Sequence, residues 1–192
     1  HELARALREG TAPPRVGIRI KALSEEGKRR AARTLDGFVS TVLDATGGAL
    51  PPAFVVTLPK VEAPEQVSAL VELLELLEVA PGLPDGALKL ELMVETPRAL
   101  VDERGRAALP ALLEAGRGRC LGAHLGSYDL TAAVGVLAPH QALIHPVNDL
   151  AKHWMQLAAG SSGLPLSDGA TTRMPIGPHA GRSGSTTHTD RF

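Results

Sequence analysis

The sequence predicts an α/β protein built on a parallel sheet, and three observations lead there. Short aliphatic, β-like runs alternate with Ala/Leu-rich stretches of helical period. Each connection is long enough to carry the chain back over the sheet, as parallel strands require. Aromatic residues make up only 3% of the 192, so the core must be aliphatic, as suits strands covered by helices.

Residues 1–9 read as the end of a helix, closed by the breaker cluster from Gly10 to Pro14. Val16-Gly17-Ile18-Arg19-Ile20 is a short strand. Ser24 is placed to cap a helix reaching about Asp44, whose apolar positions Ala31, Leu35, Phe38, Val39, Val42 and Leu43 share one face. Gly47-Gly48 and Pro51-Pro52 end it. Phe54 to Leu58 is the second strand, closed by Pro59-Lys60. Pro64 opens a helix to about Glu78, with a wide apolar arc from Val67 to Leu77. After a Pro/Gly loop at 81–86, Leu88 to Glu95 is a third strand of period two. Leu90, Leu92 and Val94 fall on one face, and Lys89, Glu91, Met93 and Glu95 on the other. The first face suits helix packing, and the second fits the partly polar interior of a barrel. Lys89 and Glu91 are placed to form an ion pair there.

A short Ala/Leu helix is expected over 106–115. Arg119 to Leu125 forms a fourth strand, running into Gly126-Ser127-Tyr128-Asp129 and a short helix to Val134. Asn148 is placed to cap a helix over 149–159, ended by Gly160, and Pro165-Leu166-Ser167 is a last short strand. Four or five strands are too few for an eight-stranded barrel, which takes about 250 residues. The expectation is an incomplete (β/α) barrel domain over 1–176, its early strands outside the chain, with a loop or poorly ordered tail over 177–192.

Composition excludes several function classes. With 20 basic and 21 acidic residues, the chain has neither the charge excess of a nucleic-acid binder nor a pull toward acidic membranes. No apolar run approaches the roughly 20 residues of a spanning helix, and the polar start is not a signal peptide. The single cysteine, Cys120, cannot form an internal disulfide and reads as core; a reducing, cytoplasmic setting is the simplest expectation.

The polar residues at the carboxyl ends of the predicted strands are Arg19, Lys60, Glu95 and Asp129. In a parallel sheet these ends share one rim, where barrels place catalytic groups. Two carboxylates on neighbouring strands, whose backbones lie roughly 4.8 Å apart, can share a hard cation and leave most of its shell to water and substrate. Arg19 can grip a carboxylate in two-pronged fashion. By spacing alone, Glu95 and Asp129 read more readily as ordinary loop or cap residues, Asp129 capping the helix that follows it. His124 on the fourth strand is readable as an inward base or as a packed, hydrogen-bonded histidine; the second is the commoner arrangement. His140 and His145 read as loop histidines, and His179 and His188 lack metal-ligand spacing. Asp168 and Arg173 can bind an anion, although Asp168-Gly169 is also an ordinary turn.

Four segments carry a resemblance. Leu90 to Thr96 resembles the metal-binding strand, ending in Glu-Thr, of the HpcH/HpaI aldolase and citrate lyase beta-subunit superfamily. Gly126-Ser127-Tyr128-Asp129-Leu130, followed by Gly135, is similar to its G-x-x-D-L…G segment. Val16 to Ile20 resembles its substrate-binding Arg strand, and Leu58-Pro59-Lys60-Val61-Glu62 its L-P-K-V-E strand end. They occur in family order over residues 16–135. The His145-Pro146 segment and Ser167 to Pro175 look like an uncharacterised branch.

The resemblance implies a (β/α)8 TIM barrel and a lyase or aldolase dependent on Mg²⁺ or Mn²⁺, acting through an enolate on a 2-oxo acid or related acyl substrate. Glu95 and Asp129 would be the metal ligands, Arg19 and Lys60 the catalytic cations, and Arg19, Gly126 and Ser127 the substrate contacts. Partners would be a small 2-oxo acid or acyl-CoA and further copies in a homo-oligomer, with no nucleic acid or membrane. The family's opening two strands have no counterpart here. The aldolase branch keeps its catalytic histidine there, so no general base is assigned. Two other readings stand beside this one. The first is a phosphoenolpyruvate-dependent phosphotransferase, against which the lack of a Walker-type loop counts. The second is a non-catalytic, degenerate barrel subunit.

Overall fold

In a computed structural model, residues 2–160 and 162–171 are described. Five parallel strands form one sheet in the order β1-β2-β3-β4-β5: Gly17–Arg19, Val55–Leu58, Lys89–Val94, Cys120–Leu125 and Leu166–Ser167. Each strand pairs with its neighbour in sequence, so the chain never reverses its direction of travel across the sheet. With crossovers of one hand, that order puts the helices on one face and leaves the other bare. This is the arc of a barrel rather than a doubly wound sheet, and the expected fold class is the one found.

The helices are α1 (Glu2–Arg8), α2 (Lys28–Thr46), α3 (Pro64–Val79), α4 (Pro97–Leu100), α5 (Leu109–Ala115), α6 (Ser127–Ala133) and α7 (Pro146–Ala159). The period-two reading of β3 holds. Leu90, Leu92 and Val94 are fully buried beneath α3 and α5, together with Val56, Leu58, Ala123 and Leu125 of the flanking strands. Leu35, Leu70, Leu74, Leu109 and Leu112 complete the aliphatic layer from the helix side. Burying a leucine of this kind is worth about 1.5–3 kcal/mol, so this layer is what holds the helices to the sheet.

On the bare face, residues in register meet side by side. Arg19, Thr57, Glu91 and Gly122 form one row across four strands. β4 carries one residue more than β3: Leu90 pairs with Cys120 and Glu91 with Gly122, which leaves Leu121 without a partner. Glu91 does not pair with Lys89 as the sequence suggested. Its Oε2 accepts a 3.0 Å hydrogen bond from Thr57 Oγ1, because the in-register neighbour is nearer than the next residue of the same face.

Two caps differ from the sequence reading. Ser24 does not cap α2; its Oγ accepts from the Gly27 N–H, closing a turn that delays the helix to Lys28. Asn148 does not cap α7 either. His145 does, its Nδ1 accepting from the Val147 N–H, and the helix therefore begins three residues before the expected 149. Asn148 is buried in the first turn and donates through Nδ2 to the Ala142 and Leu143 carbonyls. The expected tail over 177–192, together with Arg173, His179 and His188, lies outside the described residues. Among the described residues, no helix is long and apolar enough to cross a membrane.

Candidate active site

The site sits at the carboxyl ends of β1 to β4, where the rim residues named from the sequence come together. β3 delivers Glu95, which is buried. β4 ends at Leu125, and its chain passes over Glu95 at Gly126. There the backbone is so close that a Cβ on Gly126 would lie 2.4 Å from Glu95 Cβ and 2.7 Å from Oε2. Glycine is therefore required by space. The Gly126 N–H donates to the Val94 carbonyl, fixing this approach. Asp129 follows in the first turn of α6, and its side chain makes no capping bond there; it turns instead toward Lys60.

Lys60 bridges the two carboxylates. Its N–H donates to Glu95 Oε1 at 2.8 Å, and its ammonium donates to Asp129 Oδ1 at 2.6 Å. The residue holds a left-handed backbone, φ 50°, unusual for a side-chain-bearing residue, and the bond to Glu95 helps keep it there. Glu95 and Asp129 lie within hydrogen-bond reach of each other. Burial, opposed by the Lys60 N–H, pushes Glu95 above the usual carboxylate range, and the neighbouring Asp129 adds to the rise. The hydrogen bond from the Lys60 ammonium holds Asp129 below its ordinary range, with the charge of Arg19 contributing. Two adjacent carboxyls are thus driven apart in acidity.

Arg19 is exposed at the same rim, its Nη1 3.8 Å from Met93 Sδ. Ser127 is buried, and its Oγ has no hydrogen-bond partner among the described residues. Gly169, beyond β5, packs on it so tightly that a Cβ there would lie 2.0 Å from that oxygen. His124 is half-buried and hydrogen-bonded through Nδ1 to Ser167 Oγ at 2.7 Å, as the hydrogen-bonded reading of it expected. His140, expected in a loop, is exposed at the end of a short 3-10 turn over Ala138–His140. Asp168 meets Lys152, at 3.5 Å, on the wall of a separate cleft of about 550 Å³ between α7 and the β5 edge.

Sequence reasoning missed Thr96. Its Oγ1 accepts from the Ala99 N–H, capping α4, and donates to the Val61 carbonyl, tying the end of β3 to the segment after Lys60. The Thr-Pro pair at 96–97, a helix-start signal, could have revealed it.

Among the described residues no group of three or more His, Cys, Asp or Glu side chains could hold a metal. The site offers two carboxylates. Both belong to the oxygen-donor class that hard cations take, and the buried Glu95 beneath a glycine-only crossing gives them a fixed floor. The residues present fit a Mg²⁺-like ion that keeps several outside ligands.

A family model described as "Domain of unknown function (DUF6986)" matches residues 1–190. The chain belongs to the DUF6986 family. No curated protein matches it. Among solved structures, this DUF6986 chain resembles the Haloferax volcanii malate synthase pyruvate/acetyl-CoA ternary complex, at TM-score 0.61 and 18% identity over 88% of this chain and 44% of that one. A lead(II) complex of the Haloferax enzyme matches at TM-score 0.61 and 18% identity, over 86% and 46% of the two chains. A citrate lyase from Burkholderia xenovorans LB400 matches at TM-score 0.63 and 22% identity, over 88% and 48%. The DUF6986 chain therefore spans under half the length of these structures and shares the fold of the corresponding part of their barrels.

Proposed function

We propose that this DUF6986 chain carries the metal- and substrate-binding rim of a divalent-metal-dependent lyase or aldolase. The reaction would make or break a carbon–carbon bond beside the carbonyl of a 2-oxo acid or related acyl substrate. The observation that supports this most is the meeting of Glu95 and Asp129 at adjacent strand ends, with Lys60 contacting both. Mg²⁺ or Mn²⁺ would be held by these two carboxylates, supplying Lewis-acid charge opposite a carbonyl oxygen that turns negative as the bond changes.

The chain's own residues bind and orient. Arg19 offers a fork of donors to the substrate carboxylate, and its exposure leaves that fork free to reach outward. Lys60 brings a second cation to the rim. The Gly126 backbone crossing borders the floor, and the Ser127 hydroxyl lies buried against Gly169. The sheared-off proton needs a base, which none of these groups supplies on the geometry seen. That malate synthase and citrate lyase structures share the fold supports the choice of reaction class.

Calorimetric titration of Mg²⁺ with and without pyruvate or oxaloacetate tests the reading. Metal and 2-oxo acid should each tighten the other by the same factor. Asp129→Ala should abolish that coupling together with turnover. Equal heats and affinities in wild type and variant would remove the metal from the mechanism.

A further inference from the structure

The position of Lys60 is hard to reconcile with a permanent role as a rim cation alone. A divalent ion shared by Asp129 and Glu95 would compete for the Asp129 charge with the Lys60 ammonium, which holds Oδ1 at 2.6 Å. Both side chains are about half exposed, at 50% and 54%, so the contact is a solvated ion pair. Such solvated pairs contribute little, and an incoming divalent ion can break one at small cost. The backbone of the same residue is anchored differently. Its N–H is bonded to the buried Glu95, in a left-handed conformation. The ammonium can therefore leave while the Lys60 Cα and the Glu95 carboxylate stay in place.

We propose that Lys60 is a tethered placeholder: its ammonium balances the charge of Asp129 until a divalent cation displaces it. The inference rests on the proposed metal reading and extends it. The two carboxylates, one of them buried, lie close enough to interact and would repel each other without a cation between or beside them. Lys60 supplies that charge from a residue already hydrogen-bonded to the pair. Displacement then releases an ammonium at the rim only when metal has arrived, so the second substrate-facing cation becomes available together with the first.

Two measurements on the full-length protein test this. Mn²⁺ binding, followed by electron paramagnetic resonance without substrate, should be about twofold to fivefold tighter in Lys60→Met than in wild type, since the competing ion pair is gone. Lys60→Arg, which keeps a competing cation, should not show the gain. Separately, acylation of Lys60 by an amine-reactive ester, read by mass spectrometry, should quicken when Mg²⁺ is added to the wild type, while exposed Lys21 is unaffected. In Asp129→Asn the Lys60 rate should be fast with or without Mg²⁺. If Mn²⁺ binds wild type and Lys60→Met equally, or binds while Lys60 acylation stays unchanged, the placeholder role is wrong and the metal site survives. If Mn²⁺ binds neither protein, the metal reading falls and the placeholder with it.

Discussion

Arg119 and Glu78 form a two-pronged buried ion pair at the amino-terminal end of the sheet, Nη1 lying 2.6 Å from Oε1 and Nη2 3.0 Å from Oε2. The same carboxylate accepts the N–H groups of Leu88 and Gly86, and Arg119 Nη1 also donates to the Leu88 carbonyl. The end of α3 is thereby joined to the starts of β3 and β4. This arrangement serves stability, since it stands at the end of the strands opposite Glu95 and Asp129.

Breaking the pair from one side should be costly. Arg119→Leu leaves Glu78 buried without its partner and is expected to lose about 3–5 kcal/mol in denaturant unfolding. Burial alone would raise the Glu78 carboxyl, but Arg119 and the two N–H groups outweigh it and hold it below the ordinary value. A carboxylate depressed in the folded state stabilises fully above the unfolded value, about 4.3. That stability is lost as pH falls through the folded value. Unfolding curves of wild type and Glu78→Gln should therefore converge as the pH is lowered from 6 to 3. Parallel curves would show that Glu78 does not titrate on unfolding.

Arg19→Lys keeps the charge and loses the fork. If the proposed function holds, substrate affinity should fall about tenfold to a hundredfold, matching the roughly 1.5–3 kcal/mol of a charge-assisted bond. Stability should hardly change, since Arg19 is exposed and packs its Nη1 only loosely, 3.8 Å from Met93 Sδ. Arg15→Lys, before the strand, is the control and should behave as wild type. Unchanged Michaelis parameters for Arg19→Lys would remove the anchor role.

Gly126→Ala places a methyl group inside the van der Waals envelope of Glu95. The crossing must open or Glu95 must move, at an expected cost of about 1–3 kcal/mol, as for other overpacked sites. Mg²⁺ binding should be lost even where the protein remains folded. Tight Mg²⁺ binding in a folded Gly126→Ala protein would show that the close crossing does not set the position of Glu95.

Cys120 should be inert in the native protein. Burial pushes its thiol up to about 11, with the charge of Glu91 acting in the same direction. The thiolate is the reactive form, so alkylation by iodoacetamide at pH 8 should be on the order of a hundredfold slower than in denaturant. Comparable rates in both states would place the thiol in solvent.

The rim was legible in the sequence because a period-two pattern fixes which residues leave a strand at its end. Arg19, Lys60 and Glu95 lie at or just past the point where that pattern stops, and Asp129 follows in the first turn of α6. The Lys60 contacts were not legible: a backbone N–H bonded across strands, and a left-handed lysine, leave no trace in residue types. Arg119 and Glu78 escaped notice for a related reason. Each sits at the boundary of an element, and what joins them is the return of the chain through a whole βα unit. Asn148 misled because its residue type favours caps, while its tertiary position makes it a buried donor to the preceding loop. Ser24 misled in the same way, its hydroxyl serving a turn just ahead of the helix.

The unpartnered Leu121 has a consequence for how relatives of this chain can be found. It adds one residue between Glu95 and Asp129 without turning β4 over, since Gly122, Ala123, His124 and Leu125 all remain opposite their partners on β3. Leu121 is also 44% exposed, so little packing depends on it. A homologue lacking this residue would keep both carboxylates in phase, with a gap between its motifs shorter by one. A pattern search that fixes the gap would pass over such sequences, whereas one that lets it float at the foot of β4, and holds it rigid from Gly122 onward, would retain them.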